Sequence, residues 1–217
     1  LNAVIQNNAA ELMTFDVAQE LLDRIEQTSP KLIEDLVPEK LSLGAIVQIL
    51  QNLLHESVPL RDMRTILETL ASEVSRTQNP QALTAAVRPK LGRLIVQQLI
   101  GGDETLPVMT LEPDLEQLLN ELVGRSENID EIALEPNLAD GLFQSVRESV
   151  QQLEDQEMPA VIVVSPLIRA WLARLLRRVT KDLTVMSYVE IPEDQAIRVI
   201  STISINRTGT NAEQPAV

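Results

Sequence analysis

Apolar residues recur at steps of three and four along residues 1–101, the pattern of amphipathic helices that pack on one another. The clearest case is 59–71, PLRDMRTILETLA, whose apolar residues share one predicted buried stripe: Leu60, Met63, Ile66, Leu67 and Leu70. A proline opens this segment, so we expect the helix to begin there. Residues 42–54 carry a second stripe behind Ser42, which is a good N-cap. We predict that these two segments form the central helix pair of an all-helical subdomain.

The rest of this subdomain, which is predicted over residues 14–102, is also helical. One helix is predicted over 2–13, before the subdomain, and the further helices of the subdomain are predicted over 16–27, 31–36 and 79–101. The last of these should be kinked or divided by Pro89, which lies inside it. It stops at Gly101 and Gly102, which are hinge candidates because two adjacent glycines followed by an acidic pair form a poor helix.

Beyond these glycines, short apolar runs of strand length alternate with helical patterns. Strands are predicted over 106–111, 161–164, 183–189 and 197–205, and helices begin at Pro136 and Pro166, the second reaching about Thr180. The run Val161–Val164 is typical of a strand buried on both faces, and its strand–helix–strand unit should be parallel and right-handed. In the last strand we expect alternate residues to face inward: Ile197, Val199, Ile203 and Ile205.

The chain is therefore predicted to be mainly α with a small α/β domain. The helical subdomain is followed by a compact mixed-sheet α/β subdomain over residues 106–205. The joint should lie near Gly101–Thr105. The polar residues 206–217 are expected to be a flexible tail.

Composition and charge exclude several classes of function. The 217 residues carry 32 Asp and Glu against 18 Lys and Arg, and the formal net charge of −14 argues against binding nucleic acid or an anionic membrane surface. There is no cysteine, which excludes disulfides and thiolate chemistry. No apolar run approaches the roughly 20 residues that span a bilayer, so we expect no direct membrane contact by this chain. The chain begins at Leu1 rather than at methionine, and we interpret it as a fragment of a longer protein.

The sequence offers little chemistry for catalysis, and we expect no enzyme. Its one histidine, His55, lies beside Glu56 near a predicted helix end, where a lone histidine is usually structural. Ser165 follows an apolar strand and precedes a helix, but the flanking glycines of a nucleophile elbow are missing, so we interpret it as an N-cap. The alternative, a small α/β hydrolase or transferase, would need convergent polar groups near Ser165 and Glu190 at the carboxyl ends of the strands.

Neither a metal site nor a cofactor site is predicted. Acids cluster behind a predicted strand at Glu112, Asp114 and Glu116. Metal binding would need further ligands from elsewhere, whereas acids in the first turn of a helix simply complement its dipole. The glycines form neither a P-loop nor a dinucleotide fingerprint. We therefore expect no cofactor and no catalytic, cofactor-binding or metal-binding residue.

One basic cluster interrupts this acidic chain. Residues 101–160 hold fifteen acids, whereas residues 161–181 hold five bases and no acid. Four of these bases recur at i, i+3, i+4 and i+7 of the predicted helix and form the basic ridge: Arg174, Arg177, Arg178 and Lys181. The ridge is either a solvated face that balances the domain's own acids or an electrostatic contact with an acidic neighbour. That neighbour would be another subunit or a cargo protein.

Five segments, in the same order, resemble one protein family. They are residues 31–71, LGRLIVQQL (91–99), LPVMTLEPDLEQLL (106–119), VIVVSPLIRAWLARLLRR (161–178) and LTVMSYVEIPED (183–194). Through them the chain resembles the cytoplasmic part of the LcrD/FlhA/InvA family of type III secretion export-gate proteins over roughly residues 1–205. The flagellar branch is favoured over the branch of the virulence injectisome, because VPLRDMRTILETLA and LGRLIVQQL are more similar to flagellar sequences. Residues 126–136 and the tail follow no pattern of the family.

The resemblance implies a function. Members of the family have a membrane-embedded half and a cytoplasmic half of four subdomains, which forms a nine-membered ring below the export pore and receives export chaperones with their substrates. This chain would be the last two subdomains, with residues 1–13 a remnant helix of the one before. It would be the cytoplasmic portion of a bacterial inner-membrane protein. The main chaperone-docking dimple would lie upstream of Leu1.

The expected function is therefore a ring-building and docking platform of the flagellar export gate, with an injectisome export gate as the alternative. The partners that the resemblance implies are further copies of the chain, export chaperone–substrate complexes and other proteins of the export apparatus.

Overall fold

The computed structural model describes residues 9–126, 132–180 and 182–205, which divide into two compact units. The first unit contains the described residues up to Leu106 together with Val189–Ala196. The second contains Pro107–Tyr188 and the described residues from Ile197 onward. The chain thus leaves the first unit after Leu106, returns to it for eight residues, and leaves it again.

The first unit is helical, as predicted. Its helices are α1 (Phe15–Glu26), α2 (Pro30–Leu36), α3 (Leu43–His55), α4 (Met63–Glu73), α5 (Pro80–Lys90) and α6 (Gly92–Ile100). The apolar stripes of α3 and α4 are buried: Ile46, Ile49, Leu50, Leu53, Met63, Ile66, Leu67 and Leu70. The predicted central pair, α3 with α4, is not the most extensive packing in the unit. Each of these helices packs most extensively against α5.

The predicted start of α4 is wrong by one turn. The helix begins at Met63, and Pro59 and Leu60 precede it. The Asp62 side chain is the cap: its carboxylate accepts the Thr65 N–H at 3.0 Å and the Thr65 hydroxyl at 2.7 Å. A side-chain cap that satisfies an otherwise unpaired N–H determines the helix start here, rather than the proline.

The predicted division of the helix over 79–101 is confirmed. Asn79 caps α5 by accepting the N–H groups of Gln81 and Ala82. The helix ends one residue after Pro89, and α6 begins two residues later at Gly92. Gly101 ends α6 with a positive φ of 62°, a conformation that a residue without a Cβ adopts readily.

The second unit is a four-stranded sheet with helices, which confirms the predicted fold class. Its elements are β1 (Thr105–Leu111), α7 (Pro113–Gly124), α8 (Pro136–Glu154), β2 (Val161–Val164), α9 (Pro166–Leu176), β3 (Thr184–Ser187) and β4 (Ala196–Ile203). The strand order is β3-β2-β1-β4. The sheet is parallel rather than mixed, with Ile162 opposite Met109 on one side and Val185 on the other. The predicted parallel unit β2–α9–β3 is confirmed.

The core of the second unit is apolar and contains the only tryptophan of the chain, Trp171. The side chains of β1, β2 and their helices meet there, among them Met109, Leu119, Val146 and Ile162. No helix in the described part of the chain combines the length and the apolar character that crossing a bilayer requires.

The predicted burial of β4 is only partly correct. Ile203 is buried and Ile205 packs against the core, but Ile197 and Val199 are 50% and 54% exposed. The strand lies at the edge of the sheet, and a hydroxyl pair between Ser201 and Ser149 joins its C-terminal half to α8. Strict alternation fails because the first half of an edge strand is only partly covered.

Candidate protein-interaction site

The basic ridge lies at the C-terminal end of α9, which ends at Leu176 rather than near Thr180. Arg174 is in the last turn, Arg177 is the C-cap, and Arg178 follows it. The ridge is therefore the end of a helix, where positive charge complements the helix dipole, rather than a stripe that runs on through a further turn. Lys181, the fourth predicted member, lies outside the described residues.

The three described ridge arginines differ in exposure. Arg177 and Arg178 are exposed, whereas Arg174 is half-buried and already engaged in an interaction. Arg169, on the same helix, is buried and is engaged as well. The surface that a partner protein could reach electrostatically is thus centred on Arg177 and Arg178.

The two hinge candidates lie in an exposed turn between α6 and β1. A Cβ added to Gly101 or Gly102 would meet no heavy atom within 4 Å. Only Gly101 has a backbone conformation that disfavours other residues. Their role as a hinge stays a prediction.

Ser165 is the N-cap residue of α9, but its side chain makes no capping bond. Its hydroxyl instead donates to Asn120 Oδ1, and its N–H donates to Glu116 Oε1 at 2.6 Å. Both acceptors belong to α7, so Ser165 ties two helices of the second unit together. A shallow depression beside this contact is lined by Pro113, Glu116, Gln117, Asn120 and Glu121. In the part of the chain that the structure describes, no cluster of three or more His, Cys, Asp and Glu could hold a metal ion.

A buried ion network in the first unit was not predicted. Arg88 of α5 donates from Nε and Nη2 to Glu190 Oε2, at 3.1 and 2.7 Å, and from Nη1 to Glu56 Oε2 at 2.7 Å. The side chains of Arg88, Glu190 and Glu56 are 1%, 2% and 16% exposed. Burial opposes the charge on Arg88, but Glu190 and Glu56 offset it, so that the pKa of Arg88 is raised above its ordinary value.

The sequence held only a weak signal for this network. Arg88 follows Val87 and stands four residues after Thr84, so it lies on the buried side of α5. An arginine on an apolar stripe indicates a buried ion pair. Its partner Glu190 is 102 residues away, a distance that no local pattern spans.

A second ion pair joins the same two segments at the surface. Arg93 of α6 donates to both carboxylate oxygens of Asp194, at 2.9 to 3.1 Å, and both side chains are exposed. The hydrogen bond from Arg93 lowers the pKa of Asp194 below its ordinary value.

Comparison with known proteins identifies the family. The sequence profile of the FHIPEP family matches residues 1–196. The flagellar biosynthesis protein FlhA of Escherichia coli (strain K12) is 43% identical over 203 residues, which cover 94% of this chain and 29% of that protein. The chain thus spans less than a third of the length of this relative.

Solved structures share the fold. The Chlamydia pneumoniae CdsV protein superposes with a TM-score of 0.84 at 22% identity, covering 93% of this chain and 58% of that one. The nonameric SctV-C of EPEC superposes with a TM-score of 0.74 at 25% identity, covering 92% of this chain and 60% of that one. Since the family profile matches nearly the whole chain and a flagellar relative is 43% identical, the chain belongs to the FHIPEP family.

Proposed function

We propose that the chain is part of a ring-building and docking platform of the flagellar type III protein export gate. The observation that carries this proposal is the 43% identity to a flagellar biosynthesis protein over 94% of the chain. The chain spans 29% of that relative, so the activity of the whole protein is inferred from the family. The same inference makes the chain the cytoplasmic portion of a bacterial inner-membrane protein.

Ring building means that the first partner is a further copy of the chain. Support comes from the nonameric SctV-C structure, which has the same fold at 25% identity. A ring is a head-to-tail assembly, in which two different surfaces of each copy meet. A positively charged surface on one copy that meets a negatively charged surface on the next would fit such an assembly. The chain carries residues of both charges, although its formal net charge is −14.

Docking would use the exposed end of the basic ridge. Arg177 and Arg178 stand at the end of α9 on a strongly acidic chain, and like-charged copies repel unless opposite charges meet. We assign the contact to acids of a neighbouring subunit or of an export chaperone–substrate complex. Other proteins of the export apparatus are further partners that the family implies, and nucleic acid is not among them.

Charge reversal tests this assignment. Arg177→Glu with Arg178→Glu should leave the fold intact, because exposed charges contribute little to stability, and should weaken ring assembly or capture of a purified chaperone–substrate complex. The wild-type interaction should weaken with added salt. The matched control is Arg125→Glu with Arg147→Glu, which changes the net charge equally at exposed positions of the same unit. If the two double variants changed assembly and capture equally, the ridge would be only a solvated face.

An injectisome export gate is the second candidate, because the solved structures with this fold at 25% identity include a type III secretion protein, the EscV cytosolic domain. The higher identity to the flagellar relative favours the first candidate. A secretion assay separates them, since loss of the gene should abolish export of flagellar proteins in one case and of virulence effectors in the other.

An enzyme is the third and weakest candidate. The Ser165 hydroxyl is bonded to an amide oxygen rather than to a base, and Glu190 is paired with Arg88. A nucleophile without a base to accept its proton is not activated. We therefore propose that the chain acts without catalysis and without a cofactor, and Ser165→Ala should leave export unchanged.

A further inference from the structure

The segment Val189–Ala196, which we call the strap, belongs to the first unit although the chain on both sides of it belongs to the second. It follows β3 through a 3-10 turn over Tyr188–Glu190 and runs directly into β4. Its one buried side chain is Glu190. The apolar side chains of the strap are exposed or half-buried, so the strap contributes little to the apolar core of the unit on which it lies.

The backbone of the strap passes against the start of α6. A Cβ added to Gly92 would lie 1.9 Å from the carbonyl oxygen of Glu190, closer than any real contact. The strap can therefore lie in this position only because residue 92 is a glycine. Gly92 and Arg88 hold the backbone and the side chain of the same strap residue.

An outer clamp holds the other end of the strap. Arg93 binds Asp194 with a two-pronged ion pair, and the Gln195 side chain donates to the Glu104 carbonyl oxygen at 2.9 Å. The Arg93–Asp194 pair is exposed and is therefore screened by salt, whereas the Arg88–Glu190 pair is buried and is screened much less.

We propose that the strap is a latch, which can detach from α5 and α6 while the helices beneath it stay folded. Detachment moves no buried apolar side chain of the strap itself into water, and Arg88 keeps its bond to Glu56 when Glu190 leaves. Segments with few buried apolar contacts open at a lower free energy than the whole fold. When the strap detaches, the connection between β3 and β4 is no longer held on α5 and α6. This proposal does not depend on the proposed export function.

A single introduced thiol reports this opening because the chain has no cysteine, and the measure is the acceleration that opening causes, since a half-buried thiol also reacts while the strap is attached. Ile191→Cys places the thiol on the half-buried middle of the strap, and Thr69→Cys places one on the buried side of α4 as a reporter of global unfolding. The Ile191→Cys thiol should react at least about tenfold faster than the Thr69→Cys thiol, and low urea should accelerate only the second, because local opening exposes little surface.

Two substitutions should open the latch by different routes. Gly92→Ala displaces the backbone while keeping every charge, and Glu190→Gln removes the charge while keeping the shape. Each should accelerate reaction of the Ile191→Cys thiol at least about tenfold. Gly92→Ala should do so even though alanine stabilises a helix more than glycine does, because its Cβ displaces the strap. The controls are Gly102→Ala, which has open space around it, and the exposed neighbour Glu193→Gln. Equal rates or equal urea dependence of the two thiols, or no acceleration by Gly92→Ala and Glu190→Gln, would overturn the proposal.

Discussion

The buried Arg88–Glu190 pair should be one of the largest polar contributions to the stability of the first unit. Arg88→Met leaves the buried carboxylate of Glu190 without its guanidinium, and Glu190→Leu removes one of the carboxylates that pair with the buried guanidinium while Glu56 stays in place. Removing one partner of a buried ion pair typically costs about 3–5 kcal/mol of the free energy of unfolding. We expect about 3 kcal/mol, at the lower end, because the strap can carry Glu190 into water and Glu56 remains partly exposed.

The double variant Arg88→Met/Glu190→Leu should be more stable than either single variant, since it removes both charges and replaces them with apolar groups. The exposed pair Arg93–Asp194 is the matched control, because it joins the same two segments. Arg93→Met should cost only about 0–1 kcal/mol.

Urea unfolding followed by two signals separates the units. Circular dichroism reports on all helices, whereas fluorescence of Trp171 reports on the second unit alone. If the units unfold independently, the Arg88 and Glu190 variants should shift the circular dichroism transition and leave the fluorescence transition in place. Costs that match the Arg93→Met control, or a double variant whose cost is the sum of the singles, would refute the reasoning.

Three further predictions concern the fold. Leu67→Ala or Leu50→Ala should lower the free energy of unfolding by about 2–5 kcal/mol, because each opens a cavity in a fully buried stripe. Leu12→Ala, at an exposed position, should lower it little. An unchanged thermal melt for Leu67→Ala would show that the predicted buried face is wrong. Limited proteolysis should cut near Gly101–Thr105 or within 206–217 before it cuts within 40–72, and early cleavage inside α4 would count against two separate units. The lowered pKa of Asp194 means that its pair stabilises the fold above the ordinary pKa of 3.8 and stops doing so as the pH falls, so acid unfolding of Asp194→Asn should depend less on pH below that value.

Local periodicity predicts most of the fold. The buried stripes of α3 and α4 follow from helical spacing alone, and the parallel unit β2–α9–β3 follows from one apolar run between two turn signals. These features depend on residues within a few positions of each other, which a single sequence displays directly.

The sequence-based predictions are wrong or incomplete where a single side chain or a distant segment determines the local structure. The start of α4 is set by the Asp62 cap, and the exposure of Ile197 is set by the position of β4 at the sheet edge. The ion network joins Arg88 to a residue 102 positions away, and the basic ridge ends where α9 ends. The spacing of residues along a short segment predicts neither long-range pairing nor strand order, so only the structure showed these features.

Export itself is the most direct test of the central claim. The codons for residues 9–205 would be deleted in frame from the gene in its own bacterium, and flagellin would be measured in the culture supernatant and in the cells, with a plasmid copy of the gene as the control. We predict that flagellin disappears from the supernatant, that motility is lost, and that the plasmid copy restores both. Loss of secreted virulence effectors with normal flagellin would assign the chain to an injectisome instead, and unchanged secretion of both would contradict the account.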